Sequence, residues 1–154
     1  MDIDPDFLES VETVLFVCYG NICRSPFCEH YWRNLGASIR TDSAGFITTE
    51  GRKTPPEYRA YAAEHGVDLS LHSSKWVSPE LVNDADLIVL MDSSNAREFK
   101  ALYPESLERA VLLGAFLDPA ISEIEDPFHL GAEAARAIYQ QMAEAVSALY
   151  ERLT

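Results

Sequence analysis

The sequence predicts an α/β fold, a parallel sheet of four strands with helices packed against it. Three observations carry the prediction. Four short segments read as strands (residues 13–17, 37–44, 85–91 and 110–113), and stretches of helical periodicity separate them. The run Val14-Leu15-Phe16-Val17 and the run Leu87-Ile88-Val89-Leu90-Met91 are apolar without alternation, as strands covered on both faces are. The chain has 154 residues, enough for one domain with a sizeable core. Parallel strands joined through helices use right-handed crossovers, and such sheets bind ligands at the carboxyl ends of their strands.

Taken in order, residues 1–12 read as an acidic extension with a weak amphipathic patch (Phe7, Leu8, Val11), expected to fray or lie on the surface. The first strand ends in a turn through Gly20 and Asn21. A helix over 24–35 follows, with Cys28, Tyr31, Trp32 and Leu35 at helical spacing and Gly36 at its C-terminal end. Pro26 suits its first turn, where a missing N–H costs little. After the second strand, Ser43-Ala44-Gly45-Phe46 opens a loop. Pro55-Pro56 starts a helix that carries Tyr58, Tyr61, Ala62 and His65 and stops at Gly66. Residues 67–75 read as irregular. Ser78 is placed to cap a short helix that begins at Pro79. Asp92-Ser93-Ser94 caps a helix reaching about Leu102, 118–126 is a loop, and 131–153 is a long helix with Ile138, Met142, Val146, Leu149 and Leu153 on one face.

Composition excludes several classes. A net charge of −13 argues against nucleic acid as a partner, and any anion site must be made locally. No apolar run reaches the length of a membrane span. The acidic N-terminus resembles neither a secretory signal nor a transit peptide. The expectation is therefore a cytoplasmic monomer that binds neither membrane nor nucleic acid. Three cysteines, all between Cys18 and Cys28, make no disulfide framework. The four histidines show no metal-ligand spacing, so a metal hydrolase is disfavoured and no cofactor is expected.

Chemistry concentrates where the first strand meets the first helix, at Cys18-Tyr19-Gly20-Asn21-Ile22-Cys23-Arg24-Ser25. A strand, a tight loop and a helix N-terminus aim successive backbone N–H groups at one point, which suits an anion. Arg24 adds a permanently charged planar fork that matches phosphate oxygens. A thiol at the base of such a loop ionises readily, and the thiolate is a nucleophile. The residues read as a site for phosphoryl transfer to Cys18. Gly20 would allow the tight path with a positive φ. Asn21 would prop the loop, and the Ser25 hydroxyl would donate to the Cys18 sulfur.

The string Val17-Cys18-x-Gly20-Asn21-Ile22-Cys23-Arg24-Ser25-Pro26 resembles the phosphate loop of the low-molecular-weight protein tyrosine phosphatase family, and the likeness extends from about Thr13 to the end. The resemblance implies a three-layer sandwich with strand order 2-1-3-4, residues 13–154 forming one phosphatase domain, and hydrolysis of aryl phosphate monoesters through a cysteinyl-phosphate. It implies a general acid in Asp126-Pro127-Phe128, ahead of the last helix; Asp118, before Pro119, is the weaker candidate. Cys18, Arg24 and Asp126 are then the catalytic set. Tyr19 is expected to shape the floor of the site, with Ile22 and Cys23 in its wall and Phe46 and Phe128 flanking a slot for a flat ring. Ser43 and His72 resemble the family's supporting residues, Lys75 stands where the family carries arginine, and Met91-Asp92-Ser93-Ser94-Asn95 matches a family motif at a strand end. Ile22 leans toward phosphotyrosine, since members acting on phosphoarginine tend to carry threonine there. Phe128-His129 replaces the phosphorylatable tyrosine pair of some members. A reversible Cys18–Cys23 disulfide on oxidation is a further expectation. The partner implied is a phosphotyrosine protein, with a bacterial tyrosine kinase as the family-level candidate. Two rivals remain: an arsenate reductase of the same fold, which needs resolving cysteines after Cys28 that this chain lacks, and a non-catalytic phosphotyrosine-binding module, which would be expected to lose the nucleophile or the acid, both of which this chain carries.

Overall fold

The computed structural model describes residues 4–36 and 38–154. Four strands, β1 (Thr13–Cys18), β2 (Arg40–Gly45), β3 (Leu87–Leu90) and β4 (Ala110–Leu112), form one sheet in the order β2-β1-β3-β4, parallel throughout. The helices are α1 (Pro5–Glu9), α2 (Arg24–Leu35), α3 (Pro56–Ala63), α4 (Pro79–Asp84), α5 (Ser93–Leu102) and α6 (Ala132–Leu153), with short 3-10 turns on either side of β4. The fold class, strand order and parallel sense agree with expectation. The second strand starts later than the pattern suggested, and Ala37 lies outside the described residues. The sequence also gave no signal for the two 3-10 turns, whose tightening depends on neighbours.

Two-residue alternation in the central strands divides the core. Val14, Phe16 and Cys18 face one layer with Leu87, Val89 and Met91; Leu15 and Val17 face the other with Ile88 and Leu90. The first layer is closed by α2 and α6, which bring Phe27, Trp32, Tyr139, Met142 and Val146 into it, and by Tyr58 and Tyr61 of α3. The second is closed by Val82 of α4 and Phe99 of α5. Each fully buried large apolar side chain contributes about 1.5–3 kcal/mol of transfer free energy. The described part of the acidic extension, from residue 4 on, is tied down: Asp4 caps α1, and Leu8 and Val11 are buried.

Helix α2 fixes the site because both its ends are defined. It stops at Gly36, whose left-handed φ of 86° turns the chain and returns its N–H to Arg33 O at 3.1 Å. It begins at Arg24, directly after the loop that leaves β1, with no side chain capping its first turn.

The loop after β1 also lies directly against the end of β2. A Cβ added at Gly45 would stand 2.8 Å from Asn21 N and 2.9 Å from Tyr19 O, both backbone atoms. Replacing Gly45→Ala must push the two segments apart, and overpacking of this kind costs about 1–3 kcal/mol. Urea denaturation of the variant is expected to show an unfolding free energy lowered by that amount, seen as a lower midpoint with an unchanged m-value.

Candidate active site

The loop 19–23 curls around the sulfur of Cys18, which is buried at the carboxyl end of β1. Asn21 N donates to Cys18 Sγ at 3.2 Å and Ser25 N at 3.4 Å, while Ser25 Oγ lies 3.0 Å away. Asn21, not Gly20, takes the left-handed conformation that turns the loop, with φ 53°. Asparagine tolerates that region better than most side chains, and here its amide is fully engaged. Its Oδ1 accepts from Lys75 N at 2.9 Å, which fixes the amide orientation. Its Nδ2 donates to Ser25 Oγ at 2.8 Å and to Ser43 Oγ at 2.9 Å. Ser43 Oγ in turn donates to Glu29 Oε1 at 2.6 Å. Because Nδ2 only donates, the Ser25 hydroxyl accepts there and keeps its one proton for Cys18 Sγ, or for Ala44 O at 3.3 Å.

His72 closes the loop from outside, with Nε2 2.7 Å from Asn21 O. A carbonyl only accepts, so Nε2 carries the proton. Burial lowers the pKa of this ring, partly offset by the same hydrogen bond. Lys75 makes its contribution through its backbone, while its ammonium pairs with Asp42.

Arg24, only 2% exposed, reaches from the first turn of α2. Its Nη1 donates to Asp92 Oδ2 at 2.8 Å and to Ile124 O at 2.7 Å, and its Nη2 lies 3.9 Å from Asp126 Oδ2. Burial works against the guanidinium charge, but Cys18, Asp92 and Asp126 outweigh it and hold its pKa above the ordinary value. Burial pushes the Cys23 and Cys28 thiols up; all three cysteines are free.

Cys18, Tyr19, Gly20, Ile22, Cys23, Arg24, Asp126 and Phe128 line one cleft of about 540 Å³, open mouth included, together with Ile47 and Arg52. Asp118 is not among its lining residues. Phe46 is also absent. It is 8% exposed and packs in the opposite core layer with Leu15 and Val17, because Gly45 N bonds Lys75 O and Val77 N bonds Gly45 O, which prolongs the strand pairing and keeps Phe46 facing inward. Ile47 takes the wall position instead. Tyr19, 52% exposed, stands on the rim and not the floor.

Besides Ile47, three contributors escaped the sequence reading. Arg52 Nη2 donates to Gly20 O at 2.5 Å and so ties the rim to the loop. Tyr58 holds the segment carrying Asp126: its hydroxyl donates to Pro127 O at 3.4 Å, accepts from His129 N at 2.8 Å, and its ring stacks on Phe128. His129 there has φ 68°. Asp92 looked like a helix cap, which it is through Asn95 N, but it also pairs with Arg24. Only the aromatic spacing of Tyr58 and the Asp92 strand-end motif hinted at these roles.

The model of the family described as low molecular weight phosphotyrosine protein phosphatase matches residues 13–154. The low molecular weight protein-tyrosine-phosphatase Etp of Escherichia coli K12 is 30% identical over 142 residues, covering 92% of this chain and 95% of Etp. Wzb of Vibrio vulnificus, solved in complex with benzylphosphonate, superposes with a TM-score of 0.85 at 28% identity over 92% of this chain and 99% of that one. The YwlE arginine phosphatase of Geobacillus stearothermophilus superposes with a TM-score of 0.85 at 26% identity over 92% of each chain. The chain belongs to the low molecular weight protein-tyrosine phosphatase family.

Asp92→Ala would leave the Arg24 charge buried with Ile124 O as its remaining close partner. Loss of a hydrogen bond to a charged group costs about 1.5–3 kcal/mol. That destabilisation is expected in urea titrations, together with weaker protection by added inorganic phosphate.

Proposed function

We propose that this phosphatase hydrolyses phosphotyrosine in two steps through a phosphoryl group carried on Cys18. The observation that carries the reading is the placement of Cys18 Sγ, the Arg24 guanidinium and the Asp126 carboxyl around one cleft. In the first step the Cys18 thiolate attacks phosphorus and the bond to the tyrosine oxygen breaks. Asp126, as the acid, gives its proton to the departing phenolate. In the second step Asp126, now a carboxylate, takes a proton from water. The water oxygen attacks phosphorus, the S–P bond breaks, and inorganic phosphate leaves. Arg24 and the loop N–H groups stabilise the charge on the transferring oxygens, and their preorganisation supplies the main electrostatic contribution. The Ser25 proton, directed toward Cys18, eases departure of the sulfur.

The cleft walls argue for an aryl ester. Ile22, Ile47 and Phe128 offer apolar surface and Tyr19 an exposed ring at the mouth. A flat phenyl group bridges from these walls to the buried sulfur, and the short serine ester does not. The relative bound to benzylphosphonate supports the same choice. Ile22 gives a phosphoarginine guanidinium no hydrogen-bond acceptor, which separates this cleft from that of an arginine phosphatase. The reading extends to a cytoplasmic monomer acting on phosphotyrosine proteins, with a bacterial tyrosine kinase as the candidate client. The three free cysteines suit a reducing compartment.

Hydrolysis of para-nitrophenyl phosphate in the absence of metal tests the mechanism. Cys18→Ser is expected to abolish turnover, and Asp126→Asn to lower kcat by about 10²–10⁴ with little change in KM. Unimpaired turnover in Cys18→Ser would refute it. With matched peptides, phosphate release from phosphotyrosine is expected to exceed that from phosphoserine and phosphoarginine by at least an order of magnitude in kcat/KM. Equal rates on all three would remove the slot.

A further inference from the structure

Behind the phosphate loop, on the side away from the cleft, Glu29, His30 and His72 each bring one ligand atom to within 4.8 Å of the other two. We propose that these three residues form a site for a late first-row divalent cation of the zinc class, with water completing the coordination shell. Imidazole and carboxylate suit such ions, and two imidazoles with one carboxylate is a donor set that zinc uses.

The hydrogen bonds around the cluster already have the orientation a metal requires. His72 Nε2–H is committed to Asn21 O at 2.7 Å, which leaves the Nδ1 lone pair as its ligand atom. A ligating histidine that donates its other N–H to a backbone carbonyl is the usual supporting arrangement. Glu29 is buried on α2, and Oε1 accepts from Ser43 while Oε2 accepts from Arg33 at 2.6 Å. His30 Nε2 lies 3.9 Å from Glu29 Oε1, and its side chain is 29% exposed. Donors on a tetrahedral ion stand roughly 3.4 Å apart at bond lengths near 2.1 Å. Rotation of the partly exposed His30 ring, with small adjustments of the Glu29 and His72 side chains, would close the difference. Arg33, half exposed, also donates to Thr41 O at 3.1 Å, so a cation that displaced it from Glu29 would leave it that backbone partner and solvent. Burial lowers the His30 pKa, partly offset by the neighbouring Glu29 carboxylate, and the net shift favours the neutral ring that a metal needs.

The site joins two parts that the phosphatase chemistry needs fixed. Glu29 ends the hydrogen-bond chain that runs from Ser43 through Asn21 to Ser25 and Cys18, and His72 holds the carbonyl of the same Asn21. A bound ion would tie α2 to the segment around His72 and stiffen the loop from behind. Cation binding is thereby linked to stability, since an ion held only by the folded state raises it by mass action.

Cobalt(II) titration followed by visible absorption tests the proposal, with heat unfolding measured in parallel. The wild type and Cys18→Ser are expected to take up one equivalent, showing weak d–d bands without a thiolate charge-transfer band, and a midpoint raised by several degrees. His30→Ala and His30→Gln are expected to bind at least tenfold more weakly while keeping wild-type turnover of para-nitrophenyl phosphate, which shows them folded. Wild-type affinity in both His30 variants would overturn the site. So would a thiolate band that disappears with Cys18→Ser, or no uptake by the wild type.

Discussion

The left-handed turn at Asn21 is the constraint on which the rest depends. A phosphate loop works only if its N–H groups converge, and convergence requires one residue to leave the ordinary backbone regions. For a residue other than glycine that conformation costs about 1–2 kcal/mol. Here the offset comes from four partners, none within the loop: Ser25 on α2, Ser43 on β2, Lys75 N and His72 in the segment beyond α3. The loop is thus the point at which separate elements are pinned together. The close approach of Gly45 to Asn21 N and Tyr19 O follows from the same demand.

Charge is handled locally in the same way. A protein of net charge −13 repels anions at long range, yet the site must receive one. Arg24 answers this by being buried at the start of α2, where the helix dipole adds to its field. Burial of a guanidinium demands partners, and Asp92 with Ile124 O supply them on one nitrogen. The other nitrogen faces Asp126 across the cleft. One arginine thereby links the phosphate loop, the end of β3 and the segment carrying Asp126.

Contiguity decided what could be read from the chain. The sheet was legible because Val14–Val17 and Leu87–Leu90 are buried on both faces and show it by composition. The phosphate loop was legible because its parts are adjacent in sequence. Phe46 was misplaced because its facing is set by the pairing of the preceding Gly45 with Trp76, which sequence does not display. Ile47, Arg52 and Tyr58 act across separations of tens of residues, and nothing local marks them. The histidines illustrate the same limit: His30 and His72 have no ligand spacing along the chain, and the segment between α3 and α4 packs beside α2 so that the two rings meet edge to face at 6.2 Å.

Hydrogen-bond direction gives the network a consequence beyond holding shape. Asn21 Nδ2 has two protons and spends both on serines, so each hydroxyl must send its own proton elsewhere. Ser43 sends it to Glu29, a buried carboxylate that can only accept while ionised. Ser25 sends it toward Cys18 or Ala44 O, and the sulfur at 3.0 Å is the nearer of the two. The amide therefore does more than prop the loop: it sets the polarity of the chain, directing one serine proton toward Glu29 and the other toward Cys18. A carboxylate at position 21 would accept where the amide donates, reverse both serines, and turn the Ser25 lone pair toward the nucleophile. Asparagine is needed at this turn for two independent reasons, its tolerance of positive φ and its pair of protons, and glycine or aspartate could satisfy only the first.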